Sequence, residues 1–448
     1  MDPFETYRKL NARLSGGETL RIRASGSSRE TTAAHRPGLR KVFYPKIGIY
    51  AGGGTSHSWL WFVDLFERAG MYDVVFLDEG DFQRGALEEV DVLVVSGGDT
   101  FAMAHALGAA GAEQLQRFVE RGGIYIGSCA GAYLPMNSSK EPLNLFNFAP
   151  VRIANRSRTL PKAERLSHKF SMAYGCDYIF HPVRETVKIR TSGIPPFLRQ
   201  EVLEAPLYGG PSMIAADGCD VLASYEDFTA QTLFLVDPSL AAETLIGKAA
   251  AVRVPSGNGC LYLYGPHLEH PRFPQANRML LDTIYWSLNT RKPCLTVAEK
   301  RRRPGQAPAG AFIRDLKREL SNSRIVANGM DLFPILWPIG YKVYEPEKIR
   351  VFLEAMWLRI KKLEEFNTVS ADGTVKEYAL GLARKTTQKL RQLKTAMDEK
   401  KESVALAEEV LHSLRKLSIV FFTMCFRTAS EYFSSGPSGT PAFQTQTG

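Results

Sequence analysis

The chain has no apolar run long enough to cross a bilayer. The longest, Leu417 to Phe426, is interrupted by Ser418 and Thr423 and has about half the ~20 residues that a helical span requires. The first residues carry Asp2, Glu5, Arg8 and Lys9 without an apolar signal core, so no secretory signal is expected. Six cysteines among 448 residues follow no regular spacing, which excludes a disulfide framework and points to a cytoplasmic protein. Gly52-Gly53-Gly54-Thr55 does not complete a dinucleotide fingerprint, and no Walker-type loop or adenylating motif follows; no cofactor is expected. His57, His105, His168 and His181 lack ligand spacing, so no metal site is expected either. What remains, 44% hydrophobic and 23% charged residues, is globular composition.

The net charge of +9 is unevenly divided. Residues 1–46 hold 10 Lys/Arg against 4 Asp/Glu, and residues 291–448 hold 27 against 17, whereas the stretch between them is acidic. Basic flanks around an acidic centre suggest separate tasks. No interleaved aromatic pattern accompanies the basic residues, which argues against nucleic-acid binding and for solvated tails and helix faces.

Residues 1–45, rich in Gly, Ser, Thr and Arg, show little hydrophobic period and read as a disordered basic segment. From Lys46 the pattern changes. Ile47–Tyr50, Val74–Leu77, Val90–Val95 and Gly123–Gly127 are short apolar runs alternating with helical segments. Strands apolar on both faces and separated by helices predict an α/β domain with a parallel sheet covered on both sides. Residues 136–182 read as an insertion over that sheet. Further on, Val187–Arg190 and Val221–Tyr225 suggest strands, and Ala249–Val254 with Gly259–Tyr264 around Pro255-Ser256-Gly257-Asn258 suggests a hairpin. A helix from about Gln275 to Asn289 closes a domain of residues 46–290. Residues 291–311 read as a linker. In 312–435 the apolar period is helical: Ile349, Phe352, Leu353, Met356 and Ile360 form one stripe, and Val410, Leu411, Leu414, Leu417, Phe421 and Met424 another. Such faces require burial, which predicts an all-α domain packed on itself or on the first. They would also serve to bind a protein partner or a second copy. Residues 436–448 read as a disordered tail.

Gly127-Ser128-Cys129-Ala130-Gly131, directly after an apolar strand, has the spacing of a nucleophile elbow. A thiol there faces a helix N-terminus, which favours thiolate, and the N–H of Ala130 can donate to an oxyanion. A thiol nucleophile needs a base, and the base an orienting group. His267-Leu268-Glu269 follows the strand ending at Tyr264; an extended chain would project His267 and Glu269 to the same side. Gly97-Gly98-Asp99-Thr100 and Gly52-Gly53-Gly54-Thr55 close earlier strands at the same carboxyl edge, where α/β sheets bind ligands. The first of these loops offers backbone N–H groups as the second oxyanion donor, and both are expected on the pocket rim.

With Tyr50-Ala51-Gly52-Gly53-Gly54-Thr55-Ser56, Val94–Asp99, Gly127–Tyr133, Tyr208-Gly209-Gly210-Pro211 and Gly265–Glu269 in this order, residues 46–290 resemble the class I glutamine amidotransferase-like superfamily. More narrowly, they resemble the amidotransferase-like domain at the N-terminus of some biotin-protein ligases. The resemblance implies a flavodoxin-like sheet, Cys129 as nucleophile, His267 as base and Glu269 as its partner. It also implies an oxyanion hole of Gly98 and Ala130, with Gly53, Gly54, Gly97, Asp99 and Gly210 around a small amide-containing substrate. Where such glutaminases usually carry Gln shortly after the nucleophile, this chain has Ala130-Gly131-Ala132-Tyr133, so the substrate stays open. Three readings follow: a thiol-dependent amide hydrolase or amidotransferase-like protein, a non-catalytic sensor or scaffold with the helical part as interaction arm, and a peptide hydrolase similar to dipeptidase E, whose family uses Ser where Cys129 stands.

Overall fold

The computed structural model describes residues 2–16, 20–22, 40–160, 179–193, 198–289, 310–366 and 368–435. Residues 291–309 of the expected linker, the C-terminal tail, and most of the basic segment between residues 17 and 39 lie outside these residues, while Gly310 and Ala311 already belong to a helix.

An 11-stranded mixed sheet carries the site. Its first half is parallel, in the order β4 (Val74–Leu77), β3 (Ile47–Tyr50), β5 (Val92–Val95), β6 (Ile124–Ser128) and β13 (Gly259–Tyr264). Strands β3, β5 and β6 are buried along their whole length, as their unbroken apolar sequence requires for a sheet covered on both faces. Helices α2 (Trp59–Ala69), α3 (Glu79–Gln83), α4 (Thr100–Glu120) and α5 (Ala130–Tyr133) make the connections. Gly108, at φ 59°, kinks α4 between the two helical stretches visible in the sequence.

Beyond β13 the sheet turns antiparallel, through β12 (Ala249–Ser256), β11 (Asp220–Phe234), β8 (Val183–Thr191) and β9 (Val202–Leu207). Strand β10 (Met213–Ala215) joins β12 to β7 (Val151–Ile153). The flavodoxin-like parallel arrangement therefore accounts for half of the sheet. Helices α6 (Pro238–Leu245) and α7 (Pro274–Asn289) follow β11 and β13.

Two differences from the sequence reading concern the flanks. Residues 5–15 are not disordered: Glu5–Ser15 forms helix α1, and β1 (Leu20–Ile22) pairs with β2 (Arg40–Val42). Phe4, Tyr7, Asn11 and Leu14 are buried, because they recur at helical spacing along one face. Asn11 Nδ2 donates to Ala69 O at 2.7 Å, Tyr285 Oη donates to Asn11 Oδ1 at 2.7 Å, and Tyr7 Oη donates to Asp282 Oδ1 at 2.6 Å. An asparagine at the centre of the stripe hides the period from a reading that counts apolar residues.

The C-terminal part, helices α8 (Gly310–Asn328), α9 (Pro346–Phe366), α10 (Gly373–Asp398) and α11 (Val404–Ser435), also contains a short hairpin, β14 (Trp337–Ile339) with β15 (Lys342–Tyr344). Both apolar stripes are buried within the chain. Trp59 of α2 lies 6.2 Å, ring to ring, from Phe352 of α9 and 5.7 Å from Phe422 of α11; Phe76 of β4 lies 5.8 Å from Phe426. At the edge of this contact Arg359 Nη2 is 2.8 Å from Glu67 Oε2 and Lys362 Nζ is 2.9 Å from Glu67 Oε1. The helices thus pack on the β3–β4 side of the sheet, and the faces that suggested a partner-binding arm are spent on the chain itself.

Candidate active site

Strand β6 ends at Ser128, and Cys129 is the turn into α5. Its backbone has φ 53° and ψ −110°, a conformation that costs a non-glycine residue on the order of 1–3 kcal/mol and that elbows impose on nucleophiles. Its N–H donates to Tyr264 O at 2.9 Å, tying the elbow to β13. The following turn passes so close to β5 that a Cβ on Gly131 would stand 2.0 Å from Val95 O, which is why the elbow is built of small residues.

His267 and Glu269 reach the same place from β13. The segment is not extended, as the sequence reading supposed. His270 N–H donates to His267 O at 3.1 Å and closes a turn, while His267 N–H donates to Pro206 O at 2.9 Å. Within that turn His267 Nδ1 lies 2.7 Å from Glu269 Oε1, and the imidazole is close enough to the Cys129 sulfur for the two to influence each other's ionisation. Both His267 and Glu269 are buried, Glu269 completely. Its carboxylate is held at three points. Oε1 also accepts from Ser96 Oγ at 3.0 Å, and Oε2 accepts from Ser128 Oγ at 2.9 Å. Ser58 Oγ lies 2.8 Å from Ser96 Oγ.

Electrostatics follow from this packing. Burial disfavours the charged imidazole of His267, but the Glu269 carboxylate and the Cys129 sulfur outweigh it and hold its pKa at about 9. Burial raises the Cys129 thiol, yet the hydrogen bond and charge of His267, the charge of Lys342 and the Ala130 N–H bring it below the ordinary thiol value. Each group therefore favours the charged form of the other, thiolate beside imidazolium. The other nearby histidines behave oppositely: desolvation lowers His181 to about 4 and His270 to about 3, leaving both neutral.

A cleft open to solvent lies beside the sulfur. Gly98, Asp99, Ala130, Tyr208 and Gly209 line it with Cys129. The Thr55–Gly98 bridge bonds the flanking residues, Ser56 N–H to Gly97 O and Asp99 N–H to Gly54 O, so it leaves the N–H of Gly98 unused. Gly97 is where His267 packs: a Cβ there would stand 2.7 Å from its Cε1. Asp99 caps α4, with Oδ1 accepting from Ala102 N–H at 3.0 Å.

Gly53, Gly54 and Gly210 do not line the cleft. Gly53 N–H donates to Glu79 Oε2 at 3.0 Å, Gly54 O supports Asp99, and a Cβ on Gly210 would stand 1.7 Å from Gly265 O. Their position is one layer below the rim, bracing the loops that form it. The described part of the expected insertion does form a wall, through Met136, Ser138, Leu143 and Ile153.

Several residues of the site were missed in the sequence. Ser58, Ser96 and Ser128 carry no pattern that marks them as holders of Glu269. Trp61, whose ring centre lies 5.0 Å from that of His267 and 4.4 Å from that of His270, reads in the sequence only as part of an apolar helix. Tyr341 and Lys342, which also line the cleft, lie more than two hundred residues from the elbow.

The elbow, both glycine loops and α4 fall within one comparison. Residues 46–140 match the family described as biotin-protein ligase, N terminal. The family-matched segment runs from β3 past α5 and holds Cys129, Gly98 and Ala130; His267, Glu269 and the C-terminal helices lie beyond it. No curated protein matches the chain. Among solved structures, a cytoplasmic protein from Salmonella typhimurium is 12% identical over 54% of this chain and 98% of its own, with a TM-score of 0.35. A ThuA-like protein from Bacteroides uniformis is 13% identical over 58% of this chain and 95% of its own, at 0.33. A glutamine amidotransferase from Thermotoga maritima is 10% identical over 55% of this chain and 87% of its own, at 0.32. Among the described residues no helix is long and apolar enough to cross a membrane, and no group of three or more His, Cys, Asp or Glu is arranged to hold a metal ion.

Proposed function

We propose that the protein is a thiol-dependent amide hydrolase or amidotransferase-like enzyme acting on a small amide-containing substrate. The observation that carries this is Cys129 at a strained elbow lining a cleft, electrostatically coupled to His267, whose ring Glu269 holds by a hydrogen bond. The Cys129 thiolate attacks the amide carbonyl carbon, and the N–H groups of Ala130 and Gly98 face the developing oxyanion. His267 passes its proton to the leaving nitrogen as the C–N bond breaks, giving an acyl-thioester. Water or an amine then resolves the thioester, delivering its proton to His267, and the thiolate is restored. Residues 46–290 would form the catalytic unit and 312–435 a helical domain packed against it.

A survey of small amides, assayed by amine or ammonia release, tests the reading. Turnover that disappears in Cys129→Ala supports it; turnover that survives this change, or an electrophilic amide analogue that labels other cysteines and spares Cys129, contradicts it. One observation favours a second reading, a non-catalytic small-molecule sensor: Cys129 is only 7% exposed. That reading predicts ligand-induced protection of Cys129 without any turnover.

A further inference from the structure

Four serines around the elbow and the glycine loop, Ser56, Ser58, Ser96 and Ser128, are buried. Ser96 and Ser128 reach Glu269. Ser56 and Ser58 face a different acceptor. Gly97 O accepts from Ser56 N–H at 3.1 Å and lies 3.0 Å from Ser56 Oγ and 3.2 Å from Ser58 Oγ. The two hydroxyl oxygens are 2.9 Å apart, and Ser58 N–H donates to Ser56 Oγ at 3.3 Å. A hydroxyl has one proton to give. The Glu269 carboxylate takes that of Ser96, which leaves the Ser56 and Ser58 protons to Gly97 O and the oxygens beside it. Burying a hydroxyl is costly unless it is bonded, and the Gly97 carbonyl is the acceptor these two share.

The Gly97–Gly98 peptide is trans, so its C=O and N–H point to opposite sides of one plane. Donors gathered on Gly97 O therefore direct the N–H of Gly98 away from the serines. That N–H is the one the Thr55–Gly98 bridge leaves unused, and Gly98 lines the cleft together with Cys129. Gly98 has no room for a side chain: a Cβ there would stand 2.2 Å from Gly54 O and 3.0 Å from Thr55 Cα. The peptide is gripped at its oxygen and offers its nitrogen to the site. A carbonyl that accepts hydrogen bonds polarises its own amide, and the N–H across it becomes a stronger donor.

Resting on the amide-hydrolase reading above, with Gly98 as an oxyanion donor, we propose that Ser56 and Ser58 are positioning residues for the oxyanion hole. They hold Gly97 O so that the N–H of Gly98 is aimed at the oxyanion formed when Cys129 attacks a carbonyl. Ser58 also lies 2.8 Å from Ser96, which holds Glu269. The oxyanion peptide and the carboxylate that orients His267 therefore rest on one cluster of hydroxyls.

Two reagents that react at the same sulfur isolate the oxyanion without knowledge of the substrate. Iodoacetamide alkylates Cys129 by displacing iodide at a saturated carbon and forms no oxyanion. With p-nitrophenyl acetate the sulfur adds to the carbonyl through a tetrahedral oxyanion; the C–S bond forms, the ester C–O bond breaks, and p-nitrophenolate leaves with the electron pair. Both rates at Cys129 are read by peptide mass spectrometry on the full chain, and their ratio cancels the thiolate fraction. The double variant Ser56→Ala, Ser58→Ala is expected to lower the acetylation-to-alkylation ratio by about tenfold. Ser128→Ala takes a hydrogen bond from Glu269 and none from Gly97 O, and should slow both reactions while keeping their ratio. An unchanged ratio in a folded double variant, or an equal fall in Ser128→Ala, overturns the proposal and leaves the amide-hydrolase reading standing. A native Cys129 that iodoacetamide alkylates and p-nitrophenyl acetate does not acetylate overturns that reading, and this proposal with it.

Discussion

Replacing Glu269 with glutamine keeps the volume of a completely buried side chain and removes its charge. The carboxylate accepts from His267 Nδ1, Ser96 and Ser128, and it is the largest influence holding the imidazolium against burial. The difference between a pKa of about 9 and the ordinary 6.5 corresponds to roughly 3 kcal/mol in favour of the charged ring. Without the carboxylate, burial dominates and His267 becomes neutral near pH 7. Cys129 then loses the cation that lowers its pKa, and the thiolate fraction falls. A charge-assisted hydrogen bond contributes about 1.5–3 kcal/mol, so the iodoacetamide rate at Cys129 near pH 7 should drop by roughly 10–100-fold. The full pH–rate profile should move to the alkaline side. The sign is fixed by direction: a lowered thiol pKa keeps the native sulfur reactive below the ordinary thiol range, and the variant must lose reactivity there first. A folded Glu269→Gln protein with the native profile would refute the reasoning, since neither burial nor the helix terminus changes in this variant.

Other consequences can be measured in the same way. Ser96→Ala and Ser128→Ala each remove one hydrogen bond from Glu269, and each should slow Cys129 alkylation by about fivefold, equivalent to ~1 kcal/mol; no effect from the double variant would show that the serines do not position the carboxylate. Gly97→Ala places a Cβ 2.7 Å from His267 Cε1, and should slow alkylation more than it lowers the melting temperature. Trp59→Ala empties a fully buried contact between the sheet and the C-terminal helices, and should cost about 3–5 kcal/mol in denaturant unfolding. Burial would raise the Glu67 carboxyl pKa, but Arg359 and Lys362 outweigh it and lower it. Its stabilisation is therefore present above the unfolded carboxyl range and lost as pH falls through the folded value. Arg359→Met should remove that acid-side loss and lower stability at neutral pH by about 3–5 kcal/mol; an unchanged acid-side slope would refute this.

The sheet, the elbow and the pairing of His267 with Glu269 were legible because each has a local signature. Ile47–Tyr50 and Val92–Val95 are apolar throughout, Cys129 sits among small residues after a strand, and a His-x-Glu follows a Gly-Pro break. The route by which His267 meets Glu269 was not legible, since a turn and an extended chain can both bring side chains two apart together. Nor were the serines around Glu269, because a buried carboxylate takes hydroxyl donors from whichever strand ends lie near it. Gly53, Gly54 and Gly210 were placed one layer too high: a glycine required by backbone approach looks the same in sequence as one required by a ligand. The hairpin at Trp337–Tyr344 has three residues in each strand, too few for an alternating pattern to show. Its contribution to the cleft depends on how the C-terminal helices dock, and that docking is decided by scattered contacts such as Trp59 with Phe422 rather than by a motif.

The protonation state of Cys129 is the most direct test of the account. Thiolate ultraviolet absorbance, followed across pH as native protein minus Cys129→Ala, should show the sulfur ionising below the ordinary thiol range. A difference signal that appears only at or above the ordinary thiol range would mean that His267 does not activate Cys129, and would contradict the account.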